Sequence, residues 1–343
     1  MFEGNHQAID AVVTWVDGQD PKHVQKLNAY IADIGGRRPV AADPTRFHND
    51  GEITYCIISL LKYAPWLRYI HVVTDDQTPE IFNQLKGTPW EHKVRLVDHK
   101  DIFSGYEFAL PTFNIRSIMT VLWRIPDLSE RFLFLNDDFA LIQPVFPQNF
   151  FYENGIVVRG QWRNMGSNLF LSLWRNLYFK LFPNRVNPKQ RDRAKHRDAQ
   201  KNSARLAGFT DKYFWLRHEP HPWRISTIKR FFDQNPNLFL KNLSPKLRSP
   251  DQFICESLAA FLEMQAGTAV IDKSLKAFKV DPAGQTKWRL KKMISRADAN
   301  QKYAFVCVQS LEKGSPELRK YITDWLDRRI GSLDELARQY RSR

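Results

Sequence analysis

Asn136, Asp137 and Asp138 follow directly on the apolar run 132–135, FLFL. Four bulky apolar residues read as a buried strand, and the acidic pair stands at its end. Adjacent carboxylates repel one another unless a cation or a proton relieves them. At the end of a central strand in an α/β sheet they sit where ligands bind. The chemistry this suits is a Mg²⁺ or Mn²⁺ site that holds a nucleoside diphosphate. A solvated acidic turn has the same local pattern, so the rest of the chain must decide.

Other polar clusters sit at strand and helix ends. Asp17 and Gly18 close the apolar run 9–16, IDAVVTWV. Arg46, Asn49, Asp50 and Glu52 precede a helix, and Thr112 and Asn114 open another. His218 and His221 lie in RHEPHPW, and Arg248 and Asp251 in LRSPDQF. Each cluster alone has a plain structural reading. Asp50 and Thr112 suit helix caps, and a His-x-x-His pair off a helix is a poor metal signature without a third ligand. In an α/β sheet, however, strand-end clusters face one crevice.

The elements that must position these residues alternate. Strands are expected at 9–16, 68–74, 94–99 and 131–135. Helices are expected near 21–33, 52–63 and 113–124. That β-α-β-α-β-α-β order predicts an α/β fold, Rossmann-like, with an open and mostly parallel sheet covered by helices on both faces. No GxGxxG follows the first strand, so a dinucleotide-binding version is not indicated. Residues 1–150 form the first part of this core. Residues 151–215 read as a basic, aromatic, helical insertion, and 216–343 as an α-rich remainder that completes the active site, with helices near 223–234, 250–265 and 317–340.

The chain has 343 residues, 43% hydrophobic and 13% aromatic, as an ordered globular protein does. No stretch reaches the roughly 18 uncharged apolar residues that span a bilayer. The start of the chain has no signal-peptide pattern. Cys56, Cys255 and Cys307 are odd in number and far apart, which argues for buried core residues in a reducing compartment. The expected place is the cytoplasm, peripheral at the inner face of the cytoplasmic membrane. The net charge of +14 is concentrated: residues 159–205 hold twelve Lys or Arg and two Asp. That segment reads either as a solvated face or as an arm for an anionic surface, anchored by Trp174, Tyr178, Phe179 and Phe182.

Four stretches together resemble one family. IDAVVTWVDG, RFHNDGEITYCIISLLKYAPWLRYIHVVTD, LPTFNIRSIMTVLWRIPDLSERFLFLNDD and HEPHPWRISTIKRFF followed by LRSPDQF look like the conserved regions of the Stealth family, in the family's order. That family comprises bacterial capsular polysaccharide phosphotransferases and the catalytic subunit of the lysosomal N-acetylglucosamine-1-phosphotransferase. The resemblance implies a glycosyltransferase A-like core. It implies transfer of a hexose-1-phosphate or N-acetylhexosamine-1-phosphate from a UDP-sugar, UDP-GlcNAc-like, to a glycan hydroxyl, with release of UMP. The implied acceptor is a lipid-linked or polymeric glycan in capsule or cell-surface polysaccharide synthesis. Such phosphoryl transfer rests on positioning and charge neutralisation.

By the same resemblance, Asp137 and Asp138 match the family's acidic pair, with Asp138 as a metal ligand for Mg²⁺ or Mn²⁺ and Asp251 sharing the metal or orienting Arg248. Arg248 is the phosphate-binding arginine, whose fork suits two phosphate oxygens. His218 matches the family's histidine, a base toward the acceptor or a donor to phosphate. Trp15, Val16, Asp17 and Gly18 form part of the nucleotide wall. Asn114 and Asn136 contact sugar or phosphate, and Arg46, Asp50 and Glu52 complete the donor pocket. The second stretch departs from the family pattern: Thr54 stands for an arginine and Cys56 for a serine, and Arg116 in the third replaces a small or neutral residue. The nearest alternative is a metal-dependent glycosyltransferase that releases UDP. A non-enzymatic polyanion binder is more remote, and no nucleic-acid motif is present.

Overall fold

The structure, a computed structural model, describes residues 8–43, 47, 49–166 and 195–342. Arg46 and the aromatic anchors between 174 and 182 lie outside the described residues.

Five strands make the central sheet. β1 (Ile9–Thr14), β2 (Ile70–Thr74), β3 (Val94–Asp98) and β4 (Arg131–Asn136) run parallel, and the strand His221–Arg224 lies antiparallel on the outer side of β4. Their order is His221–Arg224, β4, β1, β2, β3. Every residue of β1 and β2 is buried, so both faces of the sheet are covered. The α/β class with a mostly parallel sheet is borne out. From β1 the chain moves outward through β2 and β3, then returns to place β4 on the other side. The order therefore reverses between β1 and β4, where open α/β sheets bind their ligands.

The helices begin where local chemistry starts them. α1 (Pro21–Asp33) has Asp20 as its cap, accepting from His23 N, with Pro21 at its first position. α2 (Glu52–Tyr63) buries Ile53, Cys56, Ile57, Leu60 and Leu61, and its cap is Gly51 at φ 85°, a conformation natural to glycine. The expected helix at 113–124 is shorter, Ile115–Val121, and ends in a single tight turn, Leu122–Arg124.

The remainder of the chain is mixed. It supplies helices Ile225–Gln234, Cys255–Gln265, Pro316–Ile330 and Leu333–Arg341, the last two parted at Gly331 (φ 81°). It also supplies strands. Lys276–Val280 pairs with Tyr303–Val308, and the latter lies antiparallel on β5 (Phe139–Leu141), Cys307 facing Phe139. These short strands carry lysine and tyrosine among their apolar residues and escape a search for long apolar runs. All three cysteines are free and buried. No described helix is long and apolar enough to cross a membrane.

Candidate active site

A cleft of about 1100 Å³ opens beyond the C-terminal ends of the parallel strands. Thr14, Trp15 and Val16 come to it from β1, Val73 and Asp75 from β2, His99 after β3, and Asn136, Asp137 and Asp138 from β4. Glu52, His218 and Arg248 line it as well. Trp15, Val16, Glu52, Thr112, Asn136, Asp137, Asp138, His218 and Arg248, all singled out in the sequence, thus line one cleft.

Antiparallel pairing explains why His218 meets the acidic pair. His221 sits opposite Phe134, so the residues before 221 run beside those after 134. Trp223 locks the register, its ring 5.4 Å from Phe132 and 5.7 Å from Phe134. His218 then stacks edge-on against Phe139, the residue after Asp138, with centroids 6.1 Å apart.

Asp138 is held from the far end of the chain. The amide of Val308 donates to its carbonyl at 2.8 Å, and the Cys307 thiol lies 3.4 Å from Oδ2. Its other oxygen, Oδ1, is sealed from solvent and has no hydrogen-bond partner among the described residues. Burial pushes the Asp138 carboxyl up to about 6, although Cys307 and Gln309 bond to it. Burial, then Asp138, then Glu52 push Asp137 well above the usual carboxylate range. Glu52 is raised as well, by burial above all, with Asp50 and Asp138 adding repulsion. Three carboxylates thus crowd one wall with a bare oxygen among them. Hard oxygen donors of this kind suit Mg²⁺ or Mn²⁺. Among the described residues no three His, Cys, Asp or Glu side chains are grouped so that they could hold a metal ion by themselves, so a cation here would need oxygens of the donor as well.

Two further residues of the wall were not singled out by sequence. Glu256, 4% exposed, and His196 both line the cleft, with His196 Nε2 2.9 Å from Glu256 Oε1. His221 Nε2 lies 3.9 Å from Glu256 Oε2, and the His196 and His218 rings are 5.6 Å apart. Burial alone would raise the Glu256 carboxyl, but His221, His196 and His218 outweigh it and bring it down to about 2. Burial, then His196, push His218 down to about 4, so its ring is neutral at pH 7. His196 hides in a charge run. Glu256 leaves a better trace, as the one acid between Cys255 and Leu258 in an otherwise buried helix face.

The remaining expected residues stand elsewhere. Asn114 is fully buried. It caps the helix Ile115–Val121 by accepting from Arg116 N, and it donates to Pro245 O at 2.7 Å and Gln252 Oε1 at 3.0 Å. Gln252 Oε1 in turn accepts from Ser249 N, so Asn114 steadies the loop that carries Arg248. Arg116 ties the same loop, donating to Ser249 O at 2.7 Å. Asp17 makes a turn, accepting from Gln19 N at 2.9 Å. Gly18 passes so close to Phe47 that a Cβ would meet Phe47 Cβ at 2.4 Å. Asp50 gives its amide to Glu52 Oε2 at 2.8 Å and is not among the cleft-lining residues. Asp251, expected to share the metal, is exposed and outside the cleft lining.

Residues 7–35 match Stealth protein conserved region 1, and residues 46–159 match conserved region 2. The chain thus carries conserved regions 1 and 2 of the Stealth proteins. The second region takes in both RFHND…VVTD and LPTFN…NDD, so these two stretches are one conserved region and not two. An exopolysaccharide phosphotransferase of Streptomyces coelicolor is 35% identical over 248 residues, covering 70% of this chain and 23% of that protein. A second from the same organism is 34% identical over 76% of this chain and 41% of its own length. A capsular polysaccharide phosphotransferase of Actinobacillus pleuropneumoniae is 38% identical over 43% of this chain and 39% of its own length. The chain therefore spans less than half of these relatives. Among solved structures, a galactosyltransferase bound to donor and acceptor sugar analogues aligns over 92% of this chain and 95% of its own, at 12% identity and a TM-score of 0.43.

Proposed function

We propose that this chain is a sugar-1-phosphate transferase of polysaccharide synthesis. It takes a hexose-1-phosphate or N-acetylhexosamine-1-phosphate from a UDP-sugar, joins it to a glycan hydroxyl as a phosphodiester, and releases UMP. The observation that carries this reading is that Glu52, Asp137 and Asp138, which raise one another's proton affinity, line the same cleft as a neutral His218. Relatives of similar sequence are named exopolysaccharide or capsular polysaccharide phosphotransferases.

Asp138 and Asp137, with Glu52 beside them, would hold Mg²⁺ or Mn²⁺. Such a cation offsets phosphate charge and steadies the leaving group when bound. The chain's own residues do the rest. Arg248 and Lys195, both on the cleft wall, bring cationic groups to the phosphates. A ring nitrogen of His218 is free of a proton at pH 7 and takes the one leaving the acceptor hydroxyl. The acceptor oxygen bonds to the β-phosphorus as the bond from that phosphorus to the bridging oxygen breaks. The departing UMP carries that electron pair. Glu256 anchors His196, and His196 helps to keep His218 unprotonated.

The test is the nucleotide released. The protein would be given UDP-N-acetylhexosamines or UDP-hexoses, Mg²⁺ and a lipid-linked or polymeric glycan pool. Acceptor-dependent UMP supports attack at phosphorus. UDP would place the chemistry at the anomeric carbon and overturn the phosphotransferase reading.

A further inference from the structure

The cleft has a second polar end that the chemistry above does not use. Three side-chain atoms there are buried and lack a hydrogen-bond partner among the described residues: His23 Nε2, His99 Nδ1 and Thr112 Oγ1. Their residues are only 5%, 5% and 4% exposed, and all three line the cleft. A buried polar atom without a partner is costly, and three lining one cleft point to a ligand that satisfies them.

Their position is set by the sheet. His99 follows β3 directly, and the acidic pair follows β4. β4, β1, β2 and β3 are successive neighbours, so three strand spacings separate the two ends, roughly 14 Å at about 4.8 Å each. A nucleoside diphosphate covers such a distance from base to terminal phosphate.

Charge says which end of that ligand belongs here. Burial pushes both His23 and His99 down, His99 to about 4, so both rings are neutral at pH 7. Asp75, bonded to Lys26 at 2.8 Å, lines the same wall. Neutral rings beside an ion pair that is already closed bring no net positive charge for a phosphate. A neutral imidazole nitrogen donates or accepts according to tautomer, and a threonine hydroxyl does both. Phe47 and Phe113 pack against the His23 ring at 5.3 and 5.4 Å and give the pocket aromatic walls.

Resting on the donor proposed above, we infer that His23, His99 and Thr112 form the subsite that reads the nucleobase of the donor, an uncharged planar heterocycle with edge donors and acceptors. The acidic end handles the phosphates, and this end sets which nucleotide is accepted.

The experiment is direct binding without acceptor, by calorimetry in Mg²⁺. UDP, CDP, ADP and inorganic pyrophosphate would be titrated into the full chain and into Thr112→Val, His99→Asn and His99→Phe variants, each checked for an unchanged melting curve. The wild type is expected to discriminate among the three bases. Thr112→Val and His99→Phe should weaken binding of the preferred nucleotide by about 10-fold or more, with His99→Asn less affected. Pyrophosphate binding should not move. Equal weakening of pyrophosphate, or unchanged base preference in all variants, would overturn the subsite while leaving the transferase reading standing. A wild type that binds no nucleotide at all would overturn both.

Discussion

Glu256 Oε1 lies 2.9 Å from Nε2 of His196, and it does so from a helix that starts only seven residues after Arg248. This pair acts, after burial, on the proton affinity of the residue proposed as base. His218 is held down to about 4 by burial and then by His196, with Glu256 pulling weakly the other way. In His196→Ala the second of the downward influences is gone, and the Glu256 carboxylate loses its nearest partner. Both changes favour protonated His218. The acidic limb of a kcat/KM profile should therefore move to higher pH, while the plateau near pH 8 changes less. An unmoved limb would separate His218 from the titration that controls activity.

Asp138→Asn should trade stability against function. The wild-type carboxyl is raised to about 6 by burial, and it raises Asp137 and Glu52 in turn. Above pH 6 without a divalent cation, the asparagine variant removes a buried charge from that group. Its unfolding free energy should rise by about 1 kcal/mol, read by urea titration in chelator. Transfer should fall by about 100-fold or more. Full activity with intact folding would remove Asp138 from the site.

Much of this architecture is legible in the sequence for one physical reason. Parallel strands buried on both faces read as apolar runs, so β1 to β4 stand out. The acidic pair is legible because it interrupts two apolar runs, 132–135 and 139–142. What is hidden depends on pairing across long separations. Asn114 looks like a contact residue, yet its partners at 245 and 252 turn it inward. Cys307 and Gln309 reach Asp138 only because a short strand far down the chain pairs with β5. His196 is indistinguishable from its charged neighbours until Glu256 is beside it.

Asp10 is hidden in the same way, an acid inside the apolar run of β1. Its side chain is fully buried and takes Arg68 Nε at 2.9 Å and Nη2 at 2.7 Å, the amides of Tyr69 and Ser129, and His71 at 3.4 Å. Burial would raise this carboxyl, but Arg68, His71 and Ser129 outweigh it and hold it well below the usual range. Asp10→Ala leaves these donors without their acceptor. It should cost about 3–5 kcal/mol in urea unfolding, with Asp10→Asn losing less. A loss below 1 kcal/mol would show that the network relaxes around the gap.

Glu219 gives the opposite pH sign. It is 3% exposed, its Oε2 has no partner among the described residues, and burial pushes it up to about 8 despite Arg159 and Arg217. A group raised from 4.5 contributes stability that is full below pH 4.5 and fades as pH climbs toward 8. Glu219→Gln imitates the protonated form at every pH. At pH 5 the variant and the wild type should unfold alike. At pH 8 the wild type must either ionise a buried group or hold its proton against the solvent, and the variant does neither. The glutamine protein should then be the more stable by on the order of 3 kcal/mol. Unfolding curves at the two pH values measure this directly, and a difference that is the same at both would mean that Glu219 keeps its charge in the folded protein.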